Sequence, residues 1–157
     1  MPKEIQPAAP DLADRYAIVV AQWNRAITTK LLEGATATLR QAGVPDDHIE
    51  VAHVPGSWEI PIVAQRMAAS ARYAAVICLG AVVRGETSHD QHINRGVSLA
   101  ISQISLQFDL TVLFGILTCE SMEQALDRAG GAHGNKGSDC AEAALHMVGL
   151  LKNLPTA

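Results

Sequence analysis

Three stretches of this chain, Tyr16–Val20, Ala74–Leu79 and Thr111–Leu117, are runs of small and β-branched apolar residues without a single charge. A run with no polar alternation suits a strand covered on both faces, which is the environment of a parallel sheet. A fourth run, Ile49–Val54, ends at Pro55-Gly56. Between these runs the apolar residues fall at helical spacing. Ile27, Leu31, Leu32, Ala35 and Leu39 share one face, and Gly43 with Pro45 closes that helix. Ile93, Val97, Ile101 and Ile104 mark a longer helix, and Ala141, Ala144, Leu145, Val148 and Leu151 a last one. Strands alternating with helices make βαβ units. The expected fold is therefore an α/β three-layer sandwich, a four-stranded parallel sheet flanked by helices on both faces.

Boundary residues refine this reading. Asn24 is a candidate N-cap, Pro61 sits where the first turn of a helix tolerates it, and Ser121-x-x-Gln124 is a capping-box pattern. The third strand is expected to end at Gly80, and Gly130–Gly137 is expected to be a glycine-rich loop. Residues 1–14 carry Pro2, Pro7 and Pro10 and no helical period, so they read as an arm, loose unless something holds it.

Length and composition narrow the function. A chain of 157 residues with 48% hydrophobic and 18% charged residues is expected to form one domain, 1–157, and is not a disordered chain. The net charge is −4 with no basic run, which makes nucleic acid and anionic membrane surfaces poor partners. The apolar stretch Ala74–Val83 is too short to span a bilayer, and Met1–Arg15 has no signal-peptide pattern. Cys78, Cys119 and Cys140 are odd in number and form no C-x-x-C, which fits a reducing cytoplasm.

In open parallel sheets ligands bind beyond the carboxyl ends of the strands. Those ends fall at Trp23-Asn24, Gly56–Glu59, Gly80–His89 and Phe114 onward. Gly85-Glu86-Thr87-Ser88 precedes a helix, whose first free N–H groups favour an anion; an ordinary strand–helix turn would read the same. His89 follows in the first helical turn, where the dipole favours a neutral imidazole able to accept a proton; a solvated surface histidine is the alternative. His89 and His92 form an i, i+3 pair, but no third ligand at helical spacing accompanies them, and no metal is expected. Trp23 and Trp58 stand at the rim, where either could stack on a planar heterocycle or simply pack. Glu59 and Arg128 suit a ligand site, and equally the two ends of a helix dipole.

Together these residues resemble the lumazine synthase family. The matching motifs are Trp23-Asn24, Val54-Pro55-Gly56-Ser57-Trp58-Glu59-Ile60-Pro61, Leu79–His89, Phe114-Gly115-Ile116-Leu117-Thr118, and Glu123–Gly130 with Gly134-Asn135-Lys136-Gly137. They span Tyr16 to Leu151 in order. The resemblance implies a flavodoxin-like fold and the penultimate step of riboflavin biosynthesis. In that step 5-amino-6-(D-ribitylamino)uracil condenses with 3,4-dihydroxy-2-butanone 4-phosphate to 6,7-dimethyl-8-ribityllumazine, without a cofactor. It also implies the roles. Trp23 and Asn24, Ser57, Trp58, Glu59, Ala81, Val82 and Val83 bind the pyrimidine substrate, and Phe114 reaches a neighbouring subunit's site. Gly85, Glu86 and Thr87 cradle the phosphate with Arg128 and Lys136, and His89 is the general acid/base. The implied assembly is a pentamer in which the arm, residues 1–14, is ordered on a neighbouring subunit's sheet, closing into a shell of sixty because Gly130–Gly137 carries no insertion; riboflavin synthase is the implied partner. Trp23 and Trp58 stand where Phe is the commoner residue, and Gln91-His92 replaces an acidic–aromatic pair. A non-catalytic flavin carrier and a metal-dependent hydrolase using His89 and His92 are the competing functions.

Overall fold

The computed structural model describes residues 1–156. Four strands form one sheet: β1 (Tyr16–Ala21), β2 (Ile49–Val54), β3 (Ala75–Val83) and β4 (Thr111–Cys119). Their spatial order is β2-β1-β3-β4 and every pair is parallel. The connections are α1 (Arg25–Gln41), α2 (Ile60–Ala69) and α3 (His89–Phe108). After β4 come α4 (Met122–Asp127), a small antiparallel pair β5 (Ala129–Gly131) and β6 (Gly134–Asn135), and α5 (Lys136–Asn153). This is the α/β sandwich expected from the chargeless runs.

Period-two geometry sorts the central strands between two cores. Tyr16, Ile18 and Val20 with Ala75, Ile77 and Leu79 meet Ile27, Leu31 and Leu39 of α1 and Ala141, Ala144 and Val148 of α5. Ala17, Val19 and Ala21 with Val76 and Cys78 meet Ile60 and Ala64 of α2 and Val97, Ile101 and Ile104 of α3. All three cysteines are free and buried. No helix among the described residues is long and apolar enough to cross a membrane.

The structure departs from the local reading in four places. β3 does not stop at Gly80 but runs on to Val83, which pairs with Cys119. Gly80 is required from above, since a Cβ there would lie 2.5 Å from Ser57 Oγ. Asn24 does precede α1, but in the left-handed region (φ 60°, ψ 47°) and without a capping bond; its Nδ2 donates to Ala81 O at 2.8 Å instead. Ser121 Oγ does accept from the Gln124 N–H, while Gln124 Oε1 accepts from the N–H of Glu120 rather than of Ser121. The stretch 130–137 is not all loop. It holds the β5–β6 pair, with Gly130 and Gly134 at positive φ, and the start of α5, where Asn135 Oδ1 accepts from the Gly137 and Ser138 N–H groups at 2.8 and 3.1 Å.

The arm is held by this chain's own last helix. Ala8 N–H donates to Gly149 O at 2.9 Å, Asn153 Nδ2 donates to Gln6 O at 2.8 Å, and Lys152 Nζ pairs with Asp14 at 2.6 Å.

The sorting of α1 residues is testable. Leu31 is fully buried between α1 and the sheet, whereas its neighbour Leu32 is only half-buried. Leu31→Ala is expected to cost about 2–5 kcal/mol, the range for an emptied core position. Leu32→Ala should cost clearly less. Chemical denaturation of both variants checks the order.

Candidate active site

The strand order reverses at the junction of β1 and β3: the first crossover leaves β1 on one side, and the chain returns past it to build β3 and β4 on the other. Segments leaving the two strand ends diverge there and open a crevice. A cleft of about 630 Å³ occupies it, of a size and apolar character suited to a small organic ligand. It is lined by Trp23 and Asn24 after β1, Ser57–Glu59 after β2, Ala81–Val83 at the end of β3, Gly85 and Thr87 beyond it, and His89, Asp90, His92 and Ile93 on α3.

Each group is positioned by a local constraint. Beyond β1 the chain keeps hydrogen-bonding to the β2 connection, Gln22 N–H to Val54 O and Trp23 N–H to Pro55 O at 2.9 Å. The Trp23 indole then lies over Gly56, where any Cβ would overlap the ring. Trp23 and Trp58 are 63% and 60% exposed, so neither is a core residue in this chain. Ser57 is buried beneath the turn, and Glu59 Oε2 is buried with no hydrogen-bond partner among the described residues. A desolvated carboxylate oxygen is a strong acceptor for a ligand N–H or O–H.

The amino end of α3 borders the cleft. Ser88 makes no side-chain capping bond; the His89 N–H is met by Thr87 Oγ1 at 3.3 Å and the Gln91 N–H by Ser88 O at 3.1 Å. A Cβ at Gly85 would meet nothing within 4 Å, so an anion has room there beside the positive end of the dipole. His89 is exposed at the first position of the helix, with its ring free to reach a ligand.

The other sequence-predicted residues lie elsewhere on the chain. Glu86 belongs to the loop but not to the cleft lining. Arg128 and Lys136 line a separate cleft of about 340 Å³ with Thr118, Cys119, His133 and Asp139, beyond the carboxyl end of β4. Phe114, 38% exposed, lines a third with Val112 and the Ser98–Leu106 side of α3. Within one chain Arg128 thus lines a different cleft from Gly85 and Thr87. Sequence reasoning did not place Asp90 and Ile93 in the cleft; Ile93, four residues after His89 on one face of α3, carried a signal in its spacing, whereas Asp90 carried none. No group of three or more His, Cys, Asp or Glu among the described residues is arranged to hold a metal ion.

With this geometry in place, comparison with known proteins is informative in one respect. The model of the family described as 6,7-dimethyl-8-ribityllumazine synthase matches residues 13–152. Among solved structures, SulA from Pseudomonas aeruginosa has a TM-score of 0.42 at 11% identity, over 71% of this chain and 76% of that one. A GDP-L-fucose synthetase from Naegleria fowleri bound to NADP has 0.45 at 12%, over 92% of this chain and 48% of that one. The chain spans about half the length of that second protein. Likeness this distant says nothing of function.

Proposed function

The chain belongs to the 6,7-dimethyl-8-ribityllumazine synthase family, transferases of riboflavin biosynthesis, and from that premise we propose that it condenses 5-amino-6-(D-ribitylamino)uracil with 3,4-dihydroxy-2-butanone 4-phosphate. The observation that carries this reading is the single cleft holding an aromatic platform, an unpartnered acceptor, an open helix amino end and a histidine.

The pyrimidine stacks on Trp23, and Glu59 Oε2 accepts from one of its N–H groups, with Asn24, Ser57, Trp58 and Ala81–Val83 bounding the ring and ribityl chain. The phosphate sits over Gly85, Glu86 and Thr87 at the end of α3. The amine then adds to the ketone and water leaves to give the imine. Phosphate departs, the second nitrogen closes the ring, and a second water is lost. Each step moves protons on groups the substrates supply, so orientation and one proton carrier are sufficient. His89, beside the phosphate end, is that carrier.

Arg128 and Lys136 complete the phosphate site, and Phe114 the aromatic wall, of an adjacent subunit's cleft. Their position on and beyond the edge strand β4, away from this chain's own cleft, supports the sharing. The minimum active unit is then a cyclic pentamer, which the uninterrupted loop 130–137 lets close into a shell of sixty. The arm, residues 1–14, adds an edge strand to the sheet of a neighbouring subunit through the residues ahead of its anchor on α5. We place the enzyme in the cytoplasm, with riboflavin synthase consuming its product.

His89→Ala is expected to lower kcat by about 10²- to 10⁴-fold while pyrimidine affinity holds. Lumazine fluorescence in a chelator-containing assay reads the rate. An unchanged kcat removes His89 from the mechanism.

Arg128→Ala is expected to raise KM for the butanone phosphate, since a charge-assisted contact contributes about 1.5–3 kcal/mol. The sharing has its own test. Co-expressed in equal amounts, His89→Ala and Arg128→Ala chains should regain activity at about a quarter of their sites, where intact partners meet across a heterologous interface. No recovery means that one chain supplies both groups.

Light scattering separates the assemblies. Five chains of 16.6 kDa give a mass near 83 kDa and sixty give one near 996 kDa. A dominant 83-kDa species ends the shell but keeps the pentamer, and a monomer at working concentration ends both.

A further inference from the structure

Gly96 lies in the interior of α3, seven residues beyond His89. Residues at i and i+7 share a helix face, and on this one His89, His92 and Ile93 line the cleft. Glycine inside a helix is destabilising relative to alanine, and no left-handed φ calls for it here. The contact it allows is specific. A Cβ on Gly96 would lie 2.7 Å from Cζ3 and 3.2 Å from Cη2 of Trp58, so the indole rests directly on the helix backbone. The other side of the same turn is equally tight, with Ser57 Oγ seated over Gly80 of β3. The turn Ser57–Glu59 is thus clamped between β3 and α3 by two missing side chains.

We propose that Gly96 is a positioning residue for the pyrimidine subsite: by seating Trp58 it sets the gap between Glu59 and the α3 face that carries His89. The inference rests on the condensation reading above, and it adds a residue outside the cleft lining that acts through Trp58. A methyl group at Gly96 pushes the indole outward and carries the turn with it. The opposing wall, Trp23, keeps its place, because its backbone is bonded through Gln22 and Trp23 N–H to Val54 O and Pro55 O, ahead of the displaced turn. The cleft therefore changes width without losing its platform or its histidine, and the pyrimidine substrate senses the change before the phosphate substrate does.

The experiment is a double-mutant cycle of Gly96→Ala and Trp58→Leu in the full-length protein, with both KM values and kcat measured for each form. Gly96→Ala alone is expected to raise KM for the pyrimidine roughly tenfold, within the loss that a misplacement of about 1 Å brings. KM for the butanone phosphate should change by less than about twofold, as for a group outside the displaced turn. In chains already carrying Trp58→Leu, adding Gly96→Ala should change little, because the clashing ring is gone. Equal effects with and without Trp58→Leu overturn the proposal. Should Gly96→Ala alone fail to fold, recovery of the fold by Trp58→Leu supports the seat and failure of both overturns it. A ligand-free readout runs in parallel. The chain has two tryptophans, so in Trp23→Phe the emission reports Trp58 alone. Gly96→Ala should shift that emission, and an unmoved spectrum overturns the seat. If the unsubstituted protein forms no lumazine, the condensation reading fails, and the emission shift still decides the seat.

Discussion

Everything that positions the cleft depends on the parallel pairing of β1 with β3, in register from Tyr16 opposite Ala75 to Val20 opposite Leu79. Both strands are buried on both faces, so neither can slip by one residue without moving each side chain into the opposite core. With that register held, β1 ends at Ala21 while β3 runs on to Val83, so the chain leaving β1 passes beside the last residues of β3. One continues into Trp23-Asn24 and the other through Val83 towards His89. The hydrogen bond from Asn24 Nδ2 to Ala81 O ties the two exits together across the junction. It is made possible by the left-handed conformation of Asn24, a state asparagine tolerates better than most residues.

On that frame the cleft is shaped by close approach rather than by deep burial. Its two indoles are mostly exposed, yet each lies on the backbone of a glycine, Trp23 on Gly56 and Trp58 on Gly96. An exposed aromatic held this way keeps its stacking surface available while losing little freedom when a planar ligand arrives, which is the condition for a preorganised site. Glu59 Oε2 and, on α3, Asp90 Oδ1 and Asn94 Oδ1 are buried acceptors without partners among the described residues. Buried acceptors left without donors are costly, and sites that bind polar ligands are where proteins keep them.

The same chain ends its sheet in an exposed edge, β4, and beyond that edge gathers Arg128, His133 and Lys136 around Asp139. Within one chain these cations line a different cleft from Gly85 and Thr87. In the proposed assembly they serve the next subunit, which makes subunit contact a requirement of chemistry and not only of stability. The exposed apolar residues Leu106 and Phe114 line one cleft between α3 and β4, and Leu99 is exposed on α3 as well.

The sequence by itself determined the layers and most of the residues that line the cleft. Short β-branched runs without charge suit strands covered on both sides, helical periods present one face, and residues just after parallel strands emerge together at one edge. That is why Trp23, Ser57, Glu59 and His89 could be named in advance as neighbours. Tertiary structure decided the matters that local pattern leaves degenerate. Gly80 looks like a strand end, but pairing with β4 carries the strand through it, and the Ser57 hydroxyl above shows why no side chain fits there. Asn24 looks like a cap, and only the nearby carbonyl of Ala81 draws its amide away. Gly96 looks like a weak point in a helix, and Trp58 supplies the reason for it. In each case the deciding partner is far away along the chain, and periodicity and propensity describe a residue's relation to its near neighbours in sequence, not to the atom that will be pressed against it.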